Sequence, residues 1–176
     1  MRVFSGFCIG ILVILVSTSS KALPVGVRVG AGLLAPAGDF GQDLRGSMSL
    51  SLGLAVFPVE KLKVGLEASY ASLKGKGETD LALELLGGEA SARYTLYSFT
   101  EDVSLYGLMG IGNTRFTRTL GTGEEKGYQM NIAVGAGGDV RVRERTSLDG
   151  GIKVGRYLSD KTGDVFLLSL GLWYGL

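Results

Sequence analysis

The chain has 176 residues, about one domain, with 45% apolar residues, 29 glycines and three prolines but no G-X-Y period, which excludes collagen and a Pro/Gly-rich disordered tract. Lysine plus arginine (18) nearly balance aspartate plus glutamate (17), and a net charge of +1 gives no electrostatic reason to propose nucleic acid as a partner. Histidine is absent and the one cysteine is Cys8, near the N-terminus, which removes Ser-His-Asp and Cys-His catalysis and argues against a zinc site.

Residues 1–22 read as a cleaved export signal. Arg2 supplies the positive start, Phe7 to Val16 is an uninterrupted apolar run, and Ser17 to Ser20 is polar. Ser20-Lys21-Ala22 places small residues where a signal peptidase reads them, so cleavage is expected after Ala22. The apolar run is about half the ~20 residues that a membrane-spanning helix needs. Cys8 lies inside that run, not just after it, so no lipoprotein site is expected, and the mature chain 23–176 would carry no thiol.

From there the pattern alternates with period two, the signature of strands with two different faces. In the first strand Val25, Val27, Val29, Ala31 and Leu33 oppose Gly26, Arg28, Gly30 and Gly32. The second sets Met48, Leu50, Leu52, Leu54 and Val56 against Ser47, Ser49, Ser51 and Gly53. The third sets Leu62, Val64, Leu66, Ala68 and Tyr70 against Lys63, Gly65, Glu67 and Ser69. The fourth, about 81–98, has Leu81, Leu83 and Leu85 at odd positions but Ala90, Ala92, Tyr94 and Leu96 at even ones. A one-residue slip is therefore expected, with Gly87-Gly88 as the place where a bulge costs least.

The fifth strand runs from about Val103 to Phe116, with Leu105, Met109 and Ile111 on one face. The sixth turns Met130, Ile132, Val134 and Ala136 away from Gln129, Asn131, Gly135, Gly137 and Asp139. The seventh opposes Leu148, Ile152 and Val154 to Asp149, Gly151 and Lys153. The eighth aligns Phe166, Leu168, Leu170, Leu172, Tyr174 and Leu176. Tight turns at 58–61, 100–102 and 143–146 alternate with longer polar segments at 36–45, 74–80, 117–126 and 159–163. That rhythm predicts an all-β fold, an eight-stranded antiparallel up-and-down transmembrane barrel with both ends in the periplasm.

The polar face carries Arg28, Lys63, Glu67, Glu89, Arg93, Asp139, Arg141, Asp149 and Lys153. Both signs are present, so these residues are expected to pair across a narrow lumen as a structural ion-pair network, with a switchable gate as the alternative. Glycines at 107, 110, 112, 135, 137, 138, 150 and 151 are expected to relieve crowding, and Trp173 with the tyrosines to form an aromatic girdle at the membrane interface. The apolar face suits lipid, and an open sheet edge in hydrocarbon would leave backbone groups unsatisfied, so closure is required. A soluble lipocalin-like carrier is the competing reading; its cavity would have to be lined by these glycines and charges.

These features resemble the small outer-membrane β-barrel family, the OmpA/OmpX-like barrels, over nearly all of the mature chain. The resemblance rests on Val27-Arg28-Val29-Gly30-Ala31-Gly32 followed by Pro36-Ala37-Gly38-Asp39-Phe40-Gly41, and on the last strand, 169–176. There Ser169, Gly171, Tyr174 and Leu176 look like the signal read by the barrel-assembly machinery; phenylalanine is the usual final residue, and Leu176 departs from it. The resemblance implies an outer-membrane location, contact with outer-membrane lipid and lipopolysaccharide, and a structural or surface-interaction role. The peptidoglycan-binding domain that follows the barrel in the full OmpA architecture is not read in these residues, so wall anchoring is not expected. Lipid A-modifying enzymes of this size rely on histidine with serine, so no enzymatic activity, catalytic residue, cofactor or metal is expected.

Three motifs mislead. Gly30-Ala31-Gly32-Leu33-Leu34-Ala35 fits a dinucleotide fingerprint, but Pro36, Gly38 and Gly41 follow where a helix would have to open. Gly135 to Gly138 falls inside a strand. Glu124-Glu125 and Glu78 with Asp80 lie in polar segments where carboxylates face water; bridging lipopolysaccharide phosphates through divalent cations is their functional alternative.

Overall fold

The computed structural model describes residues 24–38, 42–76, 81–158 and 163–176. The expected signal segment lies outside these, as do Glu78 and Asp80. Eight strands follow in order: β1 (Val25–Ala37), β2 (Ser47–Val59), β3 (Leu62–Lys74), β4 (Leu81–Ser98), β5 (Val103–Leu120), β6 (Gly123–Arg143), β7 (Thr146–Leu158) and β8 (Gly163–Gly175). Each pairs antiparallel with the next, and β8 returns to β1 to close the barrel. The seam runs from Gly26 opposite Gly175 to Ala37 opposite Asp164. Both ends of the described chain therefore lie at one rim, the terminus end. The other rim is the loop end.

Burial follows the alternation read from the sequence. Leu33, Leu50, Leu52, Met109, Val134, Ile152, Leu168 and Leu170 are exposed on the outer wall, whereas Arg28, Asp139 and Asp149 are buried inside. A period of two leaves no freedom here, since a strand shifted by one residue would put its charges outside and its leucines in the lumen.

Two sequence expectations fail at the loop end. Pairing runs unbroken through Gly87 and Gly88 on both sides of β4, so the expected bulge is absent there; the irregularity on β4 falls between Thr95 and Tyr97. No slip is needed because Leu81, Leu83 and Leu85 point inward, on the same face as Glu89 and Arg93. With Leu34, Leu44, Ala71, Leu73, Tyr157 and Val165 they form a buried apolar cluster near the loop-end rim. The polarity of the wall thus inverts along the strand: apolar outside at mid-height, apolar inside near the loops.

The second failure concerns 117–126, expected as a long polar loop. The β5–β6 hairpin instead stays paired to Leu120 opposite Gly123, leaving a two-residue turn. Gly121 occupies the left-handed region at φ 57, which a glycine adopts without steric cost. Polar residues there mark a solvated hairpin and not a loop.

Two smaller corrections concern facing. Gly107 and Gly150 lie opposite Ala136 and Leu170 on the outer wall, and Gly138 shares that face, so these three do not relieve luminal crowding. Trp173 is buried inside the barrel, 7% exposed, and not in a lipid-facing girdle; exposed Tyr70, Tyr94, Tyr97, Tyr128 and Tyr174 occupy the outer face.

Candidate functional site

The chemistry of this molecule is concentrated in the lumen. Arg28, at an inward position of β1, reaches across β8 to Asp149 on β7 in a bidentate pair, Nε to Oδ1 at 2.9 Å and Nη2 to Oδ2 at 3.0 Å. The crossing is possible because the intervening β8 residue is Gly171. A Cβ there would lie 2.5 Å from both Arg28 Nε and Nη2 and would collide with Asp149. Arg28 Nη1 also donates to Glu67 on β3 at 2.8 Å and to Ser51 on β2 at 3.0 Å.

Asp149 is the hub, its side chain fully buried. Besides Arg28 it accepts from Arg93 Nη1 at 3.0 Å and from the Tyr106 hydroxyl at 3.3 Å. Lys153, two inward positions higher on β7, donates to both oxygens of Glu89 at 3.0 and 3.1 Å and lies 3.8 Å from Glu67. Lys63 pairs with Asp139 nearer the terminus end. Four cations (Arg28, Lys63, Arg93, Lys153) thus face four anions (Glu67, Glu89, Asp139, Asp149), and their formal charges cancel. Burial of charge is tolerated only when pairing and hydrogen bonding are this complete.

Below this layer, aromatic rings narrow the terminus end. Phe57 meets Trp173 edge-on at 6.5 Å between centroids. Lys63 Nζ sits 5.6 Å from the Phe57 ring and 5.5 Å from Trp173. The Arg93 guanidinium stacks over Tyr106 at 5.0 Å and Trp173 at 5.4 Å. Such contacts strengthen where water is displaced. Beneath the loop-end apolar cluster remain cavities of about 70 and 60 Å³, sharing Leu34, Ser69, Glu89, Thr114, Lys153 and Tyr157 in their walls, and the larger continues into the ion-pair layer at Arg28, Glu67, Arg93 and Tyr106.

Eight of the nine charges singled out in sequence come together in this network. Arg141 does not: it is exposed at the terminus-end rim, where its backbone N–H donates to Asp102 at 2.7 Å. Of the expected assembly residues, Ser169 and Gly171 face inward, while Tyr174 and Leu176 are exposed outside. The Leu176 N–H donates to Val25 O at 2.8 Å, tying the C-terminus to β1. Sequence reading missed Tyr106 and the inward Trp173. The signal was present, since Trp173 shares its parity with Ser169 and Gly171, against the leucines of β8. Glu124 pairs with Lys126 at 2.8 Å on the solvated hairpin. Among the described residues no three His, Cys, Asp or Glu side chains gather to hold a metal.

A closed eight-stranded barrel with leucine outside and paired charge within has the architecture of the small outer-membrane β-barrels. Comparison with solved structures gives the same answer. The chain is similar to Neisserial surface protein A (TM-score 0.70, 17% identity, 85% of this chain and 96% of that one). It is also similar to a major outer membrane protein of Thermus thermophilus (TM-score 0.62, 14% identity, 89% and 100%). A third is Ail, the attachment invasion locus protein of Yersinia pestis (TM-score 0.59, 19% identity, 89% and 100%). At these identities the likeness is one of fold. No protein-family model and no curated protein matches the sequence.

Proposed function

We propose that this chain is an integral outer-membrane protein, exported by removal of residues 1–22, with a plugged lumen and a structural or surface-interaction role. The observation that carries the reading is the inverted wall: exposed Leu50, Leu52, Met109, Val134, Ile152, Leu168 and Leu170 ring the outside at mid-height, while the charges are inside and paired. A soluble carrier would have to leave that apolar band in water, where patches of this extent drive association. In a bilayer the same band contacts lipid tails.

Outer-membrane lipid and lipopolysaccharide are the surroundings this assigns, and the barrel-assembly machinery would read Ser169, Gly171, Tyr174 and Leu176. Two structural neighbours are named as a surface protein and an attachment protein, which supports placing the role at the cell surface through the loops. The second reading, a narrow channel, draws on the luminal cavities between Arg28 and Leu34. It requires that Glu67→Ala or Arg93→Ala raise the conductance of planar bilayers.

The test is electrophoresis of isolated outer membranes with and without heating. A membrane-embedded closed barrel resists detergent until boiled and then changes mobility. Recovery in the soluble periplasmic fraction without a mobility change would sink the membrane reading and restore the carrier.

A further inference from the structure

The pairing of β2 with β3 changes register just before β2 begins. Along the regular ladder Ser49 stands opposite Ala71, and an unbroken continuation would put position 44 opposite 76, on the outer wall. Instead Leu44 forms a bridge with Gly75. Five steps on one side match four on the other, so one extra residue has been accommodated between Leu44 and Ser49. Residues opposite each other in a ladder share a face, and Gly75 belongs to the inward set with Ala71 and Leu73. The extra residue therefore turns Leu44 from the outer wall into the mouth of the barrel.

The turned segment is fastened on both sides. Arg45 N–H donates to Lys74 O and Lys76 N–H to Asp43 O, both at 2.8 Å, and the Ser47 hydroxyl donates to Ser72 O at the irregularity. Leu44 is only 5% exposed although it lies outside every strand, and it caps the cluster of Leu34, Leu73, Leu81, Leu83 and Leu85. Beneath that cluster lie the small cavities around Thr114, the larger of which reaches down among the ion-paired Arg28, Glu67 and Arg93.

We infer that Leu44 is a stopper: with the loop-end leucines it forms the barrier that bars solutes outside the barrel from the polar chamber, while the ion-pair layer is a separate barrier toward the terminus end. An apolar constriction excludes water and ions by offering them no hydrogen-bond partner, so it seals without needing charge. The inference deepens the plugged-lumen reading and rests on it. It assigns the loop-side seal to an apolar side chain that the alternation of β2 alone would place in lipid or solvent.

The test uses the full chain with Cys8→Ser and a reporter cysteine at Thr114→Cys, folded in detergent micelles that leave both mouths open to a small charged methanethiosulfonate reagent. The reporter should react slowly. Adding Leu44→Ser should accelerate labelling by at least about tenfold, a modest opening equilibrium for a local seal. Leu44→Met, which keeps an apolar plug, should leave the rate slow. Trp173→Ala, at the other mouth, should change it less than Leu44→Ser, because the ion pairs still intervene.

A rate unchanged by Leu44→Ser, or raised as much by Trp173→Ala, would overturn the inference. So would a reporter that reacts fast in the otherwise unchanged protein. The heated-versus-unheated band shift of each variant reports folding independently. In the reporter protein with Leu44 intact, a retained shift with a fast reporter would defeat the stopper alone, whereas a lost shift would defeat the barrel reading. Should Leu44→Ser fail to fold by that criterion, Leu44→Ala carries the same expectation.

Discussion

Replacing Asp149 with asparagine removes one negative charge from the most enclosed point of the lumen and nearly preserves shape. The carboxylate receives Arg28 at 2.9 and 3.0 Å, Arg93 at 3.0 Å and Tyr106 at 3.3 Å, with no side-chain exposure. An asparagine offers one acceptor oxygen, and its amide hydrogens point at guanidinium groups that can only donate. Four luminal cations would then face three anions, leaving an uncompensated buried charge. Breaking a buried pair on one side costs about 3–5 kcal/mol. The assay is urea unfolding in lipid vesicles followed by the emission of Trp173, the chain's single tryptophan, which lies in the lumen. Adding Arg93→Gln restores charge balance at three against three, so the double variant should be more stable than Asp149→Asn alone, a coupling that a double-mutant cycle isolates. A loss below about 1 kcal/mol, the size of a solvent-screened pair, would refute the reasoning and mean that water reaches these charges.

Gly171→Ala inserts a methyl 2.5 Å from Arg28 Nε and Nη2, atoms held by the pair with Asp149, and should destabilise by about 1–3 kcal/mol in the same unfolding assay. Leu170→Arg, at an outer-wall position 70% exposed near mid-height, should cost roughly 2–4 kcal/mol in a bilayer; a neutral result would point to an aqueous outer wall. Gly121→Ala, at φ 57 in the β5–β6 turn, should cost about 1–2 kcal/mol, read as a lower urea midpoint with an unchanged slope.

How much of this was legible in sequence depends on where along each strand one looks. At mid-height, Val29 against Arg28, Leu66 against Glu67 and Leu148 against Asp149 alternate strictly, and each residue lies on the wall its parity assigns. Near the loop end the rule that apolar means outward broke down. Leu81, Leu83 and Leu85 read as a register slip only if lipid lies outside them, and they face the lumen instead. The 117–126 stretch departs from a loop for a related reason: polarity marks contact with water, which a protruding hairpin has as fully as a loop does.

By itself the sequence determined the period, the number of strands and, at mid-height, the two side-chain sets, because a pleated strand has only two faces and a one-residue shift exchanges them. It also showed that the polar set was nearly neutral. Only the tertiary structure decided which charge meets which, since Arg28 and Asp149 are 121 positions apart and meet over a glycine that closure of β8 against β1 places between them. The inward turn of Leu44 was decided there too. A single extra residue is invisible in composition or period, and its consequence emerges only once a neighbouring strand fixes the register.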